Sequence, residues 1–214
     1  MNIASEVAKR LLQINAIKLS PQNPFTWASG MKSPIYCDNR IVLSYPGIRR
    51  FIIESFAQKA EAFKPFDTIA GVATAGIAHG ALLAEQLALP FIYVRSQPKG
   101  HGRQNQIEGE LRPGAHALVI EDLISTGGSC LKAVEALREG GCEVSGVLAI
   151  FTYGFDEATT AFKTAGCPFD TLSSYPVLLE EALRENYIGP AELQTLQEWR
   201  KNPGGWGFVD SGIR

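Results

Sequence analysis

The sequence predicts an α/β fold, a mostly parallel twisted sheet flanked by helices, with a small N-terminal segment added. Three observations point there. Short runs of apolar and β-branched residues at 68–72, 91–94, 118–120 and 144–151 alternate with stretches of helical periodicity, the pattern of parallel strands joined by helices. Within those runs the apolar residues are nearly continuous, as in strands covered on both faces. Two of the runs end in turns of small residues, 73–76 and 125–129, that lead directly into a helix. The 214 residues make room for one domain with a substantial core. It divides into 1–45 (a helix and a turn-rich segment), 46–175 (the α/β core with a loop over 97–107) and 176–214 (helices and a tail).

Taken in order, 5–14 carries Val7, Leu11, Leu12 and Ile14 on one stripe, with Ser5 as the cap and Glu6 in the first turn, so an amphipathic helix is expected. The stretch 20–40 is rich in turn formers, among them Ser20, Pro21, Asn23 and Pro24. Pro46 opens a helix whose stripe is Ile48, Phe51, Ile52, Phe56 and Ala60. A strand over 68–72 turns at 73–76 into a helix over 77–88. Residues 91–94 form the next strand. Its exit, 95–109, holds three glycines and Pro98 and predicts no stable element. A helix over 129–138 ends at Gly140-Gly141. A strand at 144–151, a helix at 156–165, a short strand at 170–172 and helices at 176–184 and 190–201 follow, the last opened by Pro190. The tail 202–214 has four glycines.

The stretch 117–129, A-L-V-I-E-D-L-I-S-T-G-G-S, concentrates the chemistry. An apolar strand runs into Glu121 and Asp122. A hydroxyl and glycine loop follows, from Ser125 and Thr126 through Gly127 and Gly128 to Ser129, and then a helix. Such a loop aims backbone N–H groups at one point, at the positive end of a helix dipole, which makes a phosphate site. The carboxylates sit at the strand end, where open parallel sheets bind ligands. They can accept hydrogen bonds from a diol, directly or around a Mg²⁺. The combination fits a sugar phosphate with free hydroxyls. Two other nucleotide motifs are absent: Gly71 to Gly76 continues with Ile77, not Gly-Lys, and no G-x-G-x-x-G occurs.

This stretch closely resembles the phosphoribosyl-pyrophosphate (PRPP) motif of the phosphoribosyltransferases. A second resemblance narrows the family. F-T-x-x-S-G-x-K-S-P-x-Y at 25–36 is similar to the N-terminal hood of orotate phosphoribosyltransferases, and R-x-x-x-K-x-H-G at 95–102 resembles their catalytic loop. The resemblance implies a phosphoribosyltransferase-type core under a hood that covers a pyrimidine. It implies transfer of ribose 5-phosphate from PRPP to N1 of orotate, with Mg²⁺ held mainly by PRPP and water. Glu121 and Asp122 would bind the ribose, with Leu123, Ile124, Ser125, Thr126, Gly127, Gly128 and Ser129 around the 5′-phosphate. Ala73 and Thr74, joined by a cis peptide, would face the pyrophosphate. Arg95, Lys99 and His101 would neutralise the leaving group, so Lys99, His101 and Asp122 are the implied catalytic residues. Tyr36 and Ser125 would contact orotate. Where well-known members have lysines, this chain has Ala28, Ala75 and Ser96, and where they have an arginine for the orotate carboxylate it reads Phe151-Thr152-Tyr153-Gly154. Lys32 and Arg40 are the candidate replacements. The resemblance also implies a homodimer in which the loop over 97–107 closes on the neighbouring subunit's site.

Composition bounds the alternatives. A net charge of −2 and a pI near 6.0 offer no nucleic-acid surface. No apolar run reaches membrane-spanning length, and no signal-peptide pattern opens the chain. Cys37, Cys130, Cys142 and Cys167 lack C-x-x-C spacing and read as free thiols of a cytoplasmic protein, not as a zinc site. A PRPP-sensing regulator on the same fold would be expected to lose the loop cations kept here. An enzyme for a purine base is disfavoured by the hood pattern.

Overall fold

The computed structural model describes residues 2–27, 30–97 and 106–206. Helix α1, Ile3–Gln13, begins before Ser5, because Asn2 is the cap: its Oδ1 accepts from the Ala4 N–H at 3.0 Å. The turn-rich segment folds into two short antiparallel pairs that composition does not reveal. Strands β1 (Ile17–Leu19) and β4 (Ile35–Cys37) form one, and β2 (Phe25–Thr26) and β3 (Lys32–Ser33) the other. Runs of two or three residues are too brief for alternation to show. A 3₁₀ helix, Asn39–Ser44, leads to α2, Pro46–Ala60, with Pro46 in its first turn.

The core then alternates as expected: β5 (Thr68–Val72), α3 (Ala75–Leu87), β6 (Phe91–Val94), β7 (Ile107–Glu108), β8 (His116–Ile124), α4 (Gly128–Glu139), β9 (Glu143–Thr152), α5 (Asp156–Thr164), β10 (Phe169–Ser174), α6 (Tyr175–Arg184) and α7 (Pro190–Lys201). The sheet order is β10-β9-β8-β5-β6-β7, parallel throughout except for β7. That strand corrects the expectation of no stable element over 95–109. Tyr93 pairs with Glu108 and Val94 with Ile107, and the half-buried Ile107 side chain packs on the core, anchoring the returning end of the loop.

Successive side chains of β8 point to opposite faces. Leu118 and Ile120 join the cluster under α1, α2, α3, α6 and α7, while Ala117 and Val119 join the one under α4 and α5. Helices therefore cover both faces, which is why β8 is apolar on both. The α4 terminus obeys its glycines. Gly141 is left-handed (φ 83°), the Cys142 N–H reaches the Leu137 carbonyl and the Gly141 N–H the Arg138 carbonyl, each at 3.0 Å.

Candidate active site

The site is made by a mismatch in strand length. On one side β8 pairs with β5 through Gly71 and Ile120; on the other it pairs with β9 as far as Ile124 and Thr152. Residues 121–124 thus extend beyond β5 while still in the sheet. This corrects the sequence reading in one respect: Glu121 and Asp122 lie within the strand, not after its end. They have no β5 partner, so their β5 side opens on a crevice at the carboxyl edge of the sheet.

That crevice, about 330 Å³, is lined by Ala73, Thr74 and Ala75 after β5, by Glu121, Asp122 and Leu123 of β8, by Ser129 of α4, and by Cys37, Asp38 and Arg40 from the N-terminal segment. Two helices begin at its edge, α3 at Ala75 and α4 at Gly128. Neither N-terminus carries a side-chain cap. First-turn N–H groups without a capping side chain are ready to donate to an anion. Between Ala73 and Thr74 the peptide is cis, as the resemblance implies.

The carboxyl pair is held in a poorly solvated place. Glu121 is buried, and the Asp122 N–H donates to its Oε1 at 2.9 Å. Burial first, then the Asp122 charge and a hydrogen bond between the side chains, push the Glu121 carboxyl up to about 9. Asp122 is raised as well, chiefly by burial. The pair titrates as a unit and retains a proton at neutral pH. Positive charge brought close to the pair would favour its full ionisation. Burial and the Asp122 charge also push the Cys37 thiol well up, so it remains protonated.

The other expected residues are placed unequally. Ser125 is half-buried; Thr126, Gly128 and Ser129 are exposed at the mouth of the loop. Gly127 has φ 83°, and a methyl there would lie 2.9 Å from the Phe162 ring, so only glycine fits. The Ile124 side chain is 1% exposed, in the core, and its carbonyl already accepts from Thr152 Oγ1 and Tyr153 N–H. Tyr36 is an exposed aromatic on β4, 5.7 Å from the Phe25 ring. Arg95 does not line the crevice; its guanidinium lies 3.4 Å from Glu108. Lys99, His101 and Ala28 lie outside the described residues, as does most of the loop over 97–107.

Sequence reasoning missed Asn39. Fully buried, it donates from Nδ2 to the Asp122 carbonyl at 2.8 Å and so ties the N-terminal segment to the acidic strand. Nothing in its neighbourhood of sequence signals this beyond the Asp38-Asn39-Arg40 run. His79, on α3, is fully buried; burial pushes it down to about 4, so it is neutral. A larger cavity, about 540 Å³, lies between α6, α7 and the start of α5. None of the expected site residues lines it; Ala73, Thr74, Glu121, Asp122, Leu123 and Ser129 line the smaller crevice.

A phosphoribosyltransferase-type core is what this sheet, its two uncapped turns and the acidic strand define. The family model for the phosphoribosyl transferase domain matches residues 40–166. The orotate phosphoribosyltransferase of Bacteroides thetaiotaomicron is 57% identical over 206 residues, covering 96% of this chain and 97% of that one. The Listeria monocytogenes enzyme of the same name is 53% identical, covering 97% and 100%. A crystal structure of orotate phosphoribosyltransferase from Aeropyrum pernix superposes with a TM-score of 0.74 at 28% identity, over 86% of this chain and 99% of that one. The chain belongs to the orotate phosphoribosyltransferases.

Proposed function

We propose that this protein transfers ribose 5-phosphate from PRPP to N1 of orotate, giving orotidine 5′-monophosphate and pyrophosphate in pyrimidine biosynthesis. One observation carries the reading of the site: two uncapped helix N-termini, α3 and α4, flank one buried carboxyl pair in a single crevice. PRPP has an anionic group at each end and a diol between them. The loop 125–129 takes the 5′-phosphate, Glu121 and Asp122 the ribose hydroxyls, and the Ala73-Thr74 turn the pyrophosphate.

In the reaction the C1–O bond breaks, pyrophosphate leaves with the electron pair, and N1 of the ionised base forms the new bond to C1. Asp122 stabilises the positive charge that grows on the sugar. Lys99, His101 and Arg95 meet the leaving pyrophosphate, and closure of the loop over 97–107 keeps water from PRPP. Ser125 and Tyr36 contact the base. The donor set fits Mg²⁺. Among the described residues no three His, Cys, Asp or Glu side chains converge on a metal, and this hard ion is commonly held by substrate phosphates, water and one or two carboxylates. PRPP and water would mainly hold it beside the crevice carboxylates Glu121 and Asp122, and when bound it would supply countercharge to the pyrophosphate.

The enzyme acts as a cytoplasmic homodimer whose loops cross to the neighbouring site. Among the described residues no helix is long and apolar enough to cross a membrane. Mixing Lys99→Ala and Asp122→Asn subunits tests the crossing: each parent is nearly inactive, and random exchange should restore about a quarter of the sites. Exchange without recovery would place Lys99 in its own subunit's site. The reaction itself is tested by a panel of orotate, uracil, adenine, guanine and hypoxanthine with PRPP and Mg²⁺. Orotate should be consumed with equimolar pyrophosphate release; preference for another base would overturn the reading.

A further inference from the structure

The crevice is acidic, yet orotate brings a carboxylate to it. Asp38, Glu121 and Asp122 all line it, and Arg40 is the one cation among its described lining residues. An anionic base entering this space needs a partner for its charge. The segment after β9 supplies none: Tyr153 is buried among aromatic rings, and its carbonyl and that of Gly154 already accept from Arg200, which lines the other cavity. Lys32 is directed elsewhere, its Nζ 2.8 Å from the Thr26 hydroxyl within the β2–β3 pair, outside the crevice lining.

Arg40 is also oriented. Asp38 grips it from the side, Nε to Oδ1 at 2.6 Å and Nη2 to Oδ2 at 2.9 Å. That grip uses one N–H on Nε and one on Nη2. Among the described residues nothing takes the remaining donors, both N–H groups of Nη1 and the second of Nη2, and one from each nitrogen makes the end-on fork that matches a carboxylate. Tyr36, the expected base contact, and Asp122, the expected sugar contact, both lie within electrostatic range of this guanidinium. It shares the crevice lining with Asp122, so a carboxylate on a base bound beside that residue would fall within its reach. The Asp38 side chain itself is mostly buried and accepts the Arg40 N–H as well, so the pair is built into the start of the 3₁₀ helix.

We propose that Arg40, held by Asp38, reads the carboxylate of orotate and so determines the choice of base, with Asp38 as its positioning residue. This rests on the functional reading above and deepens it. The test compares kcat/KM for orotate and for uracil, which lacks the carboxylate, in wild type, Arg40→Ala, Arg40→Lys and Asp38→Asn, with the KM for PRPP measured alongside. Orotate turnover by wild type is scored first; without it the functional reading fails, whatever the variants do. With it, Arg40→Ala should lose roughly 30- to 100-fold in kcat/KM for orotate and little for uracil. Arg40→Lys keeps charge but not the fork and should fall between, as should Asp38→Asn. Equal losses on both bases with a raised KM for PRPP would assign Arg40 to the sugar phosphate and overturn the proposal. So would an unchanged orotate-to-uracil ratio, or a ratio that collapses in Lys32→Ala instead.

Discussion

The two strand-to-helix turns that flank the acidic pair do similar work by opposite means. The turn after β5 is pressed against its neighbour. A Cβ on Gly76 would collide with the Ile120 carbonyl oxygen and come within 3.4 Å of the Glu121 Cα, and one on Gly71 would lie 2.9 Å from the Gly76 carbonyl oxygen. The loop after β8 is open. Gly128 has no atom within 4 Å of where a Cβ would stand, and Gly127 is constrained by its φ of 83° and by Phe162. Small residues in the first turn thus serve packing, and hold the acidic strand in place. In the second they leave backbone N–H groups accessible. A glycine-rich turn at a ligand site is not one kind of object.

That difference can be broken experimentally. Gly76→Ala carries the largest expected effect, a loss of about 3 kcal/mol from overpacking between α3 and β8, read from the urea midpoint. A midpoint within experimental error of wild type would mean the close contact is not structural. Gly127→Ala should cost about 2 kcal/mol, from the left-handed backbone and the displaced Phe162 ring.

A subtler probe follows the acidic pair. In the folded, ligand-free protein Glu121 is pushed up from its ordinary 4.5 to about 9. The folded state therefore holds this proton more tightly than the unfolded chain between those values. Stability should fall as pH rises across that window and be highest at its acid end. Glu121→Gln should flatten the slope and stabilise the protein at pH about 8, by an amount that grows with pH across the window. Gly76→Ala, which presses on Glu121, should alter the slope, and Gly127→Ala should not. Smallest of all, Gly128→Ala should move the midpoint by less than about 0.5 kcal/mol.

The legibility of the sequence follows the same division. Where a feature depends on local pattern, it was readable. The apolar run of β8, the loop into α4, the Gly140-Gly141 stop and the Pro190 start of α7 all stand where expected. Features that depend on distant partners were not. The acidic pair lies inside β8 because β9 outlasts β5 in the register, a fact about three strands at once. Strand β7 exists through two pairings with β6 across the loop, and β1 finds β4 across the whole turn-rich segment. Asn39 matters through a contact with a carbonyl 83 residues away. The Arg40 fork lies between these cases. Its Asp38 partner is two residues away, but its place in the crevice needs the fold.

Steady-state turnover of orotate by Asp122→Asn tests the central claim most directly, that the end of β8 carries the chemistry. The substitution removes a charge from a buried site where burial already disfavours it, so thermal stability should be unchanged or higher. With PRPP, Mg²⁺ and orotate saturating, kcat should fall roughly 100-fold or more, the scale of one lost electrostatic contact to a transition state. A correctly folded Asp122→Asn enzyme with near wild-type kcat would contradict the account.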